Sequence, residues 1–245
     1  MLRPLCFCLL LLGAATARAG ELTVSAAASL TEAFAEIAER YQAEHPGTRV
    51  RLNFGASGAL LQQIARGAPV DVFASADQAT MDRAQQLGLV RAAARRNFTG
   101  NRLVLVVPAD SRRKLAALGD LLSVERFAIG RPDSVPAGRY ARDALDAAGL
   151  WGQLQGRAVG AQNVRQALDY VARGEVDAAF VYRSDTGRMA ERVRIAFEVP
   201  LRQAIRYPVA PLADSADPAE AARFIDYLLA APGQAVLARH GFLGP

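Results

Sequence analysis

Residues 21–41, ELTVSAAASLTEAFAEIAERY, decide the fold. Glu21 to Ala26 form a short β-rich run, and Ala26-Ala27-Ala28 carry the chain through a small-residue turn to Ser29. From there Leu30, Ala33, Phe34, Ile37, Ala38 and Tyr41 recur at helical spacing, until Pro46-Gly47 ends the helix. The unit is strand, tight turn, helix start.

The same unit recurs along the chain. β-rich runs at Thr48 to Phe54, Val70 to Ala74, Arg102 to Val107, Phe127 to Gly130, Ala178 to Tyr182 and Arg194 to Val199 alternate with amphipathic segments. That alternation predicts an α/β fold with mostly parallel sheets flanked by helices. Toward the C-terminus, Asp217-Pro218-Ala219-Glu220 reads as an N-cap, a proline at N1 and a reciprocal glutamate at N3, ahead of Phe224, Ile225, Leu228 and Leu229. A last helix runs from about Pro232 to His240, with Gly241 at its C′ position. No low-complexity linker interrupts the chain, so two lobes would be joined by ordered strands in a double crossover. Lobe I then comprises 20–100 plus 206–245 and lobe II 101–205. Val107-Pro108 and Tyr207-Pro208 mark the crossings to within about ten residues.

Composition agrees with a globular protein. Of 245 residues, 51% are apolar and 22% charged, which excludes disorder, a collagen-like repeat and a polytopic membrane protein. The length allows one large domain or two lobes of about 100 to 120 residues. A net charge of +5 raises the question of nucleic acid, but the arginines are scattered, with only short clusters at Arg95-Arg96 and Arg112-Arg113-Lys114. One lysine stands against 28 arginines, a compositional bias and no basic stripe. No nucleic-acid partner is expected.

Met1 to Ala19 has Arg3 near its start, an apolar run from Leu5 to Leu12 and the small-residue ending Ala17-Arg18-Ala19: a cleaved secretory signal. Its apolar run is too short to span a bilayer. Both cysteines, Cys6 and Cys8, lie within it, and Phe7 before Cys8 argues against a lipid anchor there. The expected mature chain has about 226 residues, a charge of about +3 and no cysteine. The expectation is a periplasmic monomer without membrane insertion, disulfides or thiolate metal sites.

Chemistry concentrates at the junctions. The first leads to Ser29; the second passes from Val50-Arg51-Leu52-Asn53-Phe54 through Gly55-Ala56 to Ser57-Gly58 and a helix from Ala59 to Arg66. Each serine is placed at an N-cap. Each alone reads as an ordinary helix cap. Together, at the carboxyl ends of adjacent parallel strands, they make an anion cradle, because helix starts present unpaired N–H groups and partial positive charge. Val135-Pro136-Ala137-Gly138 precedes a helix carrying Tyr140, Ala144, Leu145 and Ala148, and Gln162-Asn163-Val164 precedes one carrying Leu168 and Val171. Tyr182 ends a strand at the same edge, either as a phenol donor or as an amphipathic lid. Such neutral donors can hold a desolvated anion without Arg or Lys, and they reject a protonated one, whose own O–H would meet a donor at a cost of about 1 to 3 kcal/mol.

A rival reading takes Gly55-Ala56-Ser57-Gly58-Ala59 as an approximate nucleophile elbow of an exported serine hydrolase, with Ser57, an aspartate and His240 in that chain order. Its last position is Ala where the pattern has Gly, no oxyanion-loop glycine cluster precedes it, and His240 sits in a last helical turn where a cation complements the dipole. His45 reads as a solvated helix end. Asp71 and Asp77 have the chemistry of an acid–base pair or of hard-cation ligands, but their places fit a strand-end brace and a helix start. No His-rich or Cys-rich metal spacing occurs. The expectation is no catalysis, no cofactor and no free-cation site.

The strings Ala26-Ala27-Ala28-Ser29-Leu30, Gly67-Ala68-Pro69-Val70-Asp71-Val72-Phe73 with Ala74-Ser75-Ala76-Asp77, Val135-Pro136-Ala137-Gly138 and Val181-Tyr182-Arg183-Ser184-Asp185 closely resemble the periplasmic molybdate-binding proteins of ABC importers. So do Tyr227-Leu228-Leu229 and Arg239-His240-Gly241-Phe242, and the resemblance spans residues 20–245. It implies the two-lobed type II periplasmic-binding-protein fold, closing on a tetrahedral oxyanion in the interlobe cleft. It also implies molybdate, with tungstate, as ligand, a membrane permease as partner, and Ser29, Ser57, the backbone N–H groups of Ala137 and Val164, and the Tyr182 hydroxyl as the groups that hold molybdenum as its oxyanion. Sulfate is the alternative oxyanion.

Overall fold

The opening run becomes β1 (Gly20–Ala27), whose Leu22, Val24 and Ala26 have no exposed surface. The structure, a computed structural model, describes residues 20–245; the signal segment and both cysteines lie outside the described residues. After a 3₁₀ turn (Ala28–Leu30) come α1 (Thr31–Glu44), β2 (Thr48–Gly55), α2 (Ser57–Ala65), β3 (Val72–Ala74), α3 (Gln78–Gln86), β4 (Arg96–Asn101) and β5 (Leu103–Pro108). Then follow β6 (Phe127–Gly130), α4 (Pro136–Ala147), α5 (Trp151–Leu154), β7 (Ala158–Ala161), α6 (Val164–Ala172), β8 (Ala178–Tyr182), α7 (Arg183–Thr186) and β9 (Val193–Glu198). β10 (Ile205–Pro211), α8 (Pro218–Leu229) and α9 (Ala231–Arg239) complete the chain.

Two five-stranded sheets result, ordered β2-β1-β3-β10-β4 and β7-β6-β8-β5-β9. They share a plan. β1 runs parallel to β2 and β3, as β6 does to β7 and β8; an antiparallel strand, β10 or β5, then carries an antiparallel edge strand. The sheets are therefore mixed, and helices flank both in a two-lobed α/β fold. The chain passes from the first sheet to the second at Arg102 and returns over residues 199–204. β4, β7 and β10 have no counterpart among the β-rich runs read from sequence. Each hides its signal: β4 holds Asn and Gly among its six residues, β7 is four residues long, and β10 carries Pro208 at the bulge where its register with β4 shifts.

The α1 stripe is the core face of that helix. Phe34 meets Phe98 of β4 and Phe224 of α8 edge-on, with ring centroids 5.8 and 6.3 Å apart. In the second lobe, Gly138 lets the start of α4 press against the end of β6, since a Cβ there would lie 1.8 Å from the Gly130 carbonyl oxygen.

Two local expectations fail, both through long-range partners. Ser29 sits inside the 3₁₀ turn and Ser57 is the first residue of α2, and neither side chain caps its helix. Ser29 Oγ instead lies 3.0 Å from Tyr207 Oη, and Ser57 Oγ accepts the Ala76 N–H at 3.0 Å. Asp217 does cap α8, accepting from Glu220 N at 2.9 Å, but Glu220 does not reciprocate. Its carboxylate accepts from Tyr41 Oη and Thr48 Oγ1 at 2.5 and 2.9 Å, tying α8 to α1 and β2.

Candidate ligand site between the lobes

The four junctions converge. Ser29, Ser57, Ala137, Val164 and Tyr182 all line one small cavity between the sheets, with Ala27, Gly55, Ala76 and Asn163 among their neighbours. The first two come from the 3₁₀ turn after β1 and from the start of α2, the others from the starts of α4 and α6 and the end of β8. Ala137 is the second residue of α4, behind Pro136, and Val164 the first of α6, so neither N–H has an intrahelical acceptor. Both helix starts direct partial positive charge toward the cavity.

Among the described residues, no charged side chain lines it. Tyr182, which β8 delivers fully buried, has a hydroxyl with no hydrogen-bond partner among the described residues. It is no surface lid. Burial, then the neighbouring Tyr207 phenol, pushes its pKa well above the ordinary tyrosine value, so it stays a donor. The expense of a buried, unpaired O–H has a physical reason if the cavity receives an acceptor oxygen. Ser57 Oγ, already accepting from Ala76 N–H, has its own proton left to donate. A convergent set of N–H and O–H donors fits an oxyanion that carries no proton.

Charged residues stand just outside and bridge the lobes. Arg165, on α6, donates to Glu32 of α1 at 2.8 Å through Nη1 and pairs with the second oxygen of that carboxylate through Nη2. Its Nε stands 3.0 Å from Asp185 Oδ1, an ion pair without hydrogen-bond alignment, while Asp185 Oδ2 accepts the Tyr182 N–H at 3.2 Å. Burial raises the Asp185 pKa to about 6 against the pull of Arg165. On the opposite side Arg139 of α4 donates to Asp77 Oδ2 at 2.8 Å and to Thr80 Oγ1 at 2.7 Å. Between the two bridges the Gly58 N–H donates to the Ser134 carbonyl at 3.0 Å. A Cβ on Gly58 would meet that oxygen at 2.7 Å, so glycine permits the lobes to touch.

The remaining candidates fall elsewhere. Asp71 braces β1 through Thr23 N–H (2.8 Å) and also accepts from Ser215 and Ala216; Asp77 caps α3, accepting from Thr80 N–H at 3.1 Å. His240 Nε2 lies 2.9 Å from Glu36, and His45 stacks on Tyr41, with no hydrogen bond from either to Ser57 among the described residues. Size does not identify the site. A groove of about 490 Å³ beside α4, lined by Asp143, Asp146 and Arg202, brings no helix start together. Asn101, Tyr207, Arg139 and Arg165 are neighbours of the cavity that reading the sequence does not single out. Each makes a contact 59 to 178 residues away in the chain, and no local spacing announces it.

Residues 22–243 match the family of bacterial extracellular solute-binding proteins. The Escherichia coli molybdate-binding protein ModA is 37% identical over 237 residues, 94% of this chain and 91% of that protein. The solved periplasmic molybdate-binding protein of Azotobacter vinelandii superposes with a TM-score of 0.79 at 25% identity, over 91% of this chain and 99% of that one. The sulfate-binding protein SubI of Mycobacterium tuberculosis superposes at 0.81 with 21% identity over 91% and 86% of the two chains, a likeness of fold alone. With a match of that extent and relatives of that identity, the chain belongs to the bacterial extracellular solute-binding proteins, in the group of the molybdate-binding ModA proteins.

Proposed function

We propose that this protein captures molybdate, and tungstate as well, as the fully deprotonated tetrahedral oxyanion, and hands it to the permease of an ABC importer. The observation that carries the reading is the buried Tyr182 hydroxyl, without a partner among the described residues, facing two helix starts across a cavity that no described charged side chain lines. Ser29, Ser57 and Tyr182 donate O–H groups and Ala137 and Val164 donate N–H groups, each charge-assisted bond being stronger than a neutral one. Lobe I (20–100 plus 206–245) supplies the two serines and lobe II (101–205) the other three donors, so the anion itself bridges the lobes; the membership of the two sheets supports that division. The names of the relatives support molybdate as the anion.

The hydrolase reading needs a histidine at Ser57, and His240 is engaged with Glu36 instead. Isothermal titration of the purified protein with molybdate, tungstate and sulfate tests the proposal. One saturable site for molybdate and tungstate, with sulfate unable to compete at equal concentration, is the expected result. No heat with either metal oxyanion, or tighter sulfate binding, overturns it.

A further inference from the structure

Ser29 can serve an unprotonated anion only if its proton points into the cleft, and a hydroxyl rotates freely unless something fixes it. A chain of three side chains reaches Ser29 from behind. Asn101 Oδ1 accepts the Arg102 N–H at 2.9 Å, which sets the orientation of the amide and turns Nδ2 toward Tyr207 Oη at 3.2 Å and Ser184 Oγ at 2.8 Å. Nδ2 can only donate, so the Tyr207 oxygen accepts there. Tyr207 is fully buried and its remaining partner among the described residues is Ser29 Oγ, at 3.0 Å. Its proton therefore goes to Ser29, because the alternative leaves a buried O–H unpaired. Accepting from Tyr207 sets the direction of the Ser29 hydroxyl and leaves its own proton for the cavity.

We propose that Tyr207, oriented by Asn101, is a specificity-determining residue that turns Ser29 into a donor toward the cavity and so disfavours anions carrying a proton, such as hydrogen phosphate. Tyr207 touches no ligand and acts as a positioning residue through Ser29. Burial holds its phenol well above the ordinary tyrosine pKa, so it keeps the proton it must donate. Ser57 reaches the same polarity by a shorter route, its oxygen accepting the Ala76 N–H. Asn101 ends β4, just before the chain crosses between the sheets, and Tyr207 is the third residue of the returning strand β10, so the relay lies beside the crossover.

This inference rests on the oxyanion reading above, and the test separates the two. Titrate wild type, Tyr207→Phe and Asn101→Asp with molybdate and with inorganic phosphate at mildly alkaline pH, where both are dianions but phosphate keeps one proton. In Tyr207→Phe the ring packing is retained while Ser29 becomes free to accept; molybdate weakens about tenfold, and the phosphate-to-molybdate affinity ratio rises at least about fivefold. Asn101→Asp reverses the relay, since its carboxylate takes the Tyr207 proton and Tyr207 then accepts from Ser29, and the ratio rises further. Added charge repels both dianions alike and leaves the ratio unmoved. In a Ser29→Ala background Tyr207→Phe no longer changes the ratio. Proportionate loss of both anions in both variants, or a ratio that still responds without Ser29, overturns the proposal. A wild type that binds no molybdate overturns the oxyanion reading and this inference with it.

Discussion

Tyr182 shows how much one atom can disclose. Its hydroxyl is buried without a partner among the described residues, a cost to stability that an acceptor arriving in the cavity would offset. Tyr182→Phe should therefore move two quantities in opposite directions: molybdate affinity falls by roughly 1 to 3 kcal/mol, while the unliganded melting temperature stays level or rises. Ser57→Ala should lose similar affinity but lower the unliganded melting temperature, because Ala76 N–H is left unpaired. Calorimetry and thermal melts without ligand check both, and equal affinity in wild type and variants would make these groups structural. At this scale the sequence was informative only where the geometry is local. Ser29 and Ser57 stood out because each follows a strand and opens a helix within a few residues. Their freedom from capping, and the engagement of Ser29 by a tyrosine 178 residues away, depend on tertiary contacts that no local pattern encodes.

At the scale of elements, the helix pattern of α1 was legible because its apolar stripe repeats for three turns, and Asp217-Pro218 marked the start of α8 by chemistry confined to one turn. What α1 packs against was not. Glu36 on its outer side gathers Arg239 and His240 from the end of α9, at 2.5 and 2.9 Å, together with Arg40 one turn along. His240 first, then Arg239, hold its carboxyl at about 2, down from its ordinary 4.5. A carboxyl with a depressed pKa in the fold contributes stability above its ordinary value, and that contribution is lost as pH falls through about 2. Glu36→Gln should thus flatten the acid side of the stability profile between pH 4.5 and 2, by no more than about 1 kcal/mol per exposed pair. Raising salt should erase the difference. Thermal melts across that range at low and high salt measure it; a wild-type profile that matches the variant removes the role.

For the whole molecule, contacts between the lobes stand on either side of the cavity. Arg165 with Glu32 and Arg139 with Asp77 bind the lobes at two edges, and Gly58 lets the backbones meet between them. Gly58→Ala places a methyl where only 2.7 Å separates it from Ser134 O, so the lobes cannot close fully. Molybdate affinity should fall at least about tenfold, with little change in unliganded stability, and small-angle scattering should show less compaction at saturating molybdate than in wild type. Unchanged compaction would mean that the loop simply yields.

The place of β10 has a bearing on how the chain acquires this shape. The second sheet is built from one uninterrupted stretch, Leu103 to Glu198, and can complete itself as soon as that stretch exists. In the first sheet, β3 and β4 flank a strand that begins only at Ile205, so until the chain is almost finished both leave an edge without a partner. The topology thereby predicts a folding order in which the sheet built from the inserted stretch completes first, the sheet that begins the chain completes last, and the Asn101–Tyr207 contact forms with it.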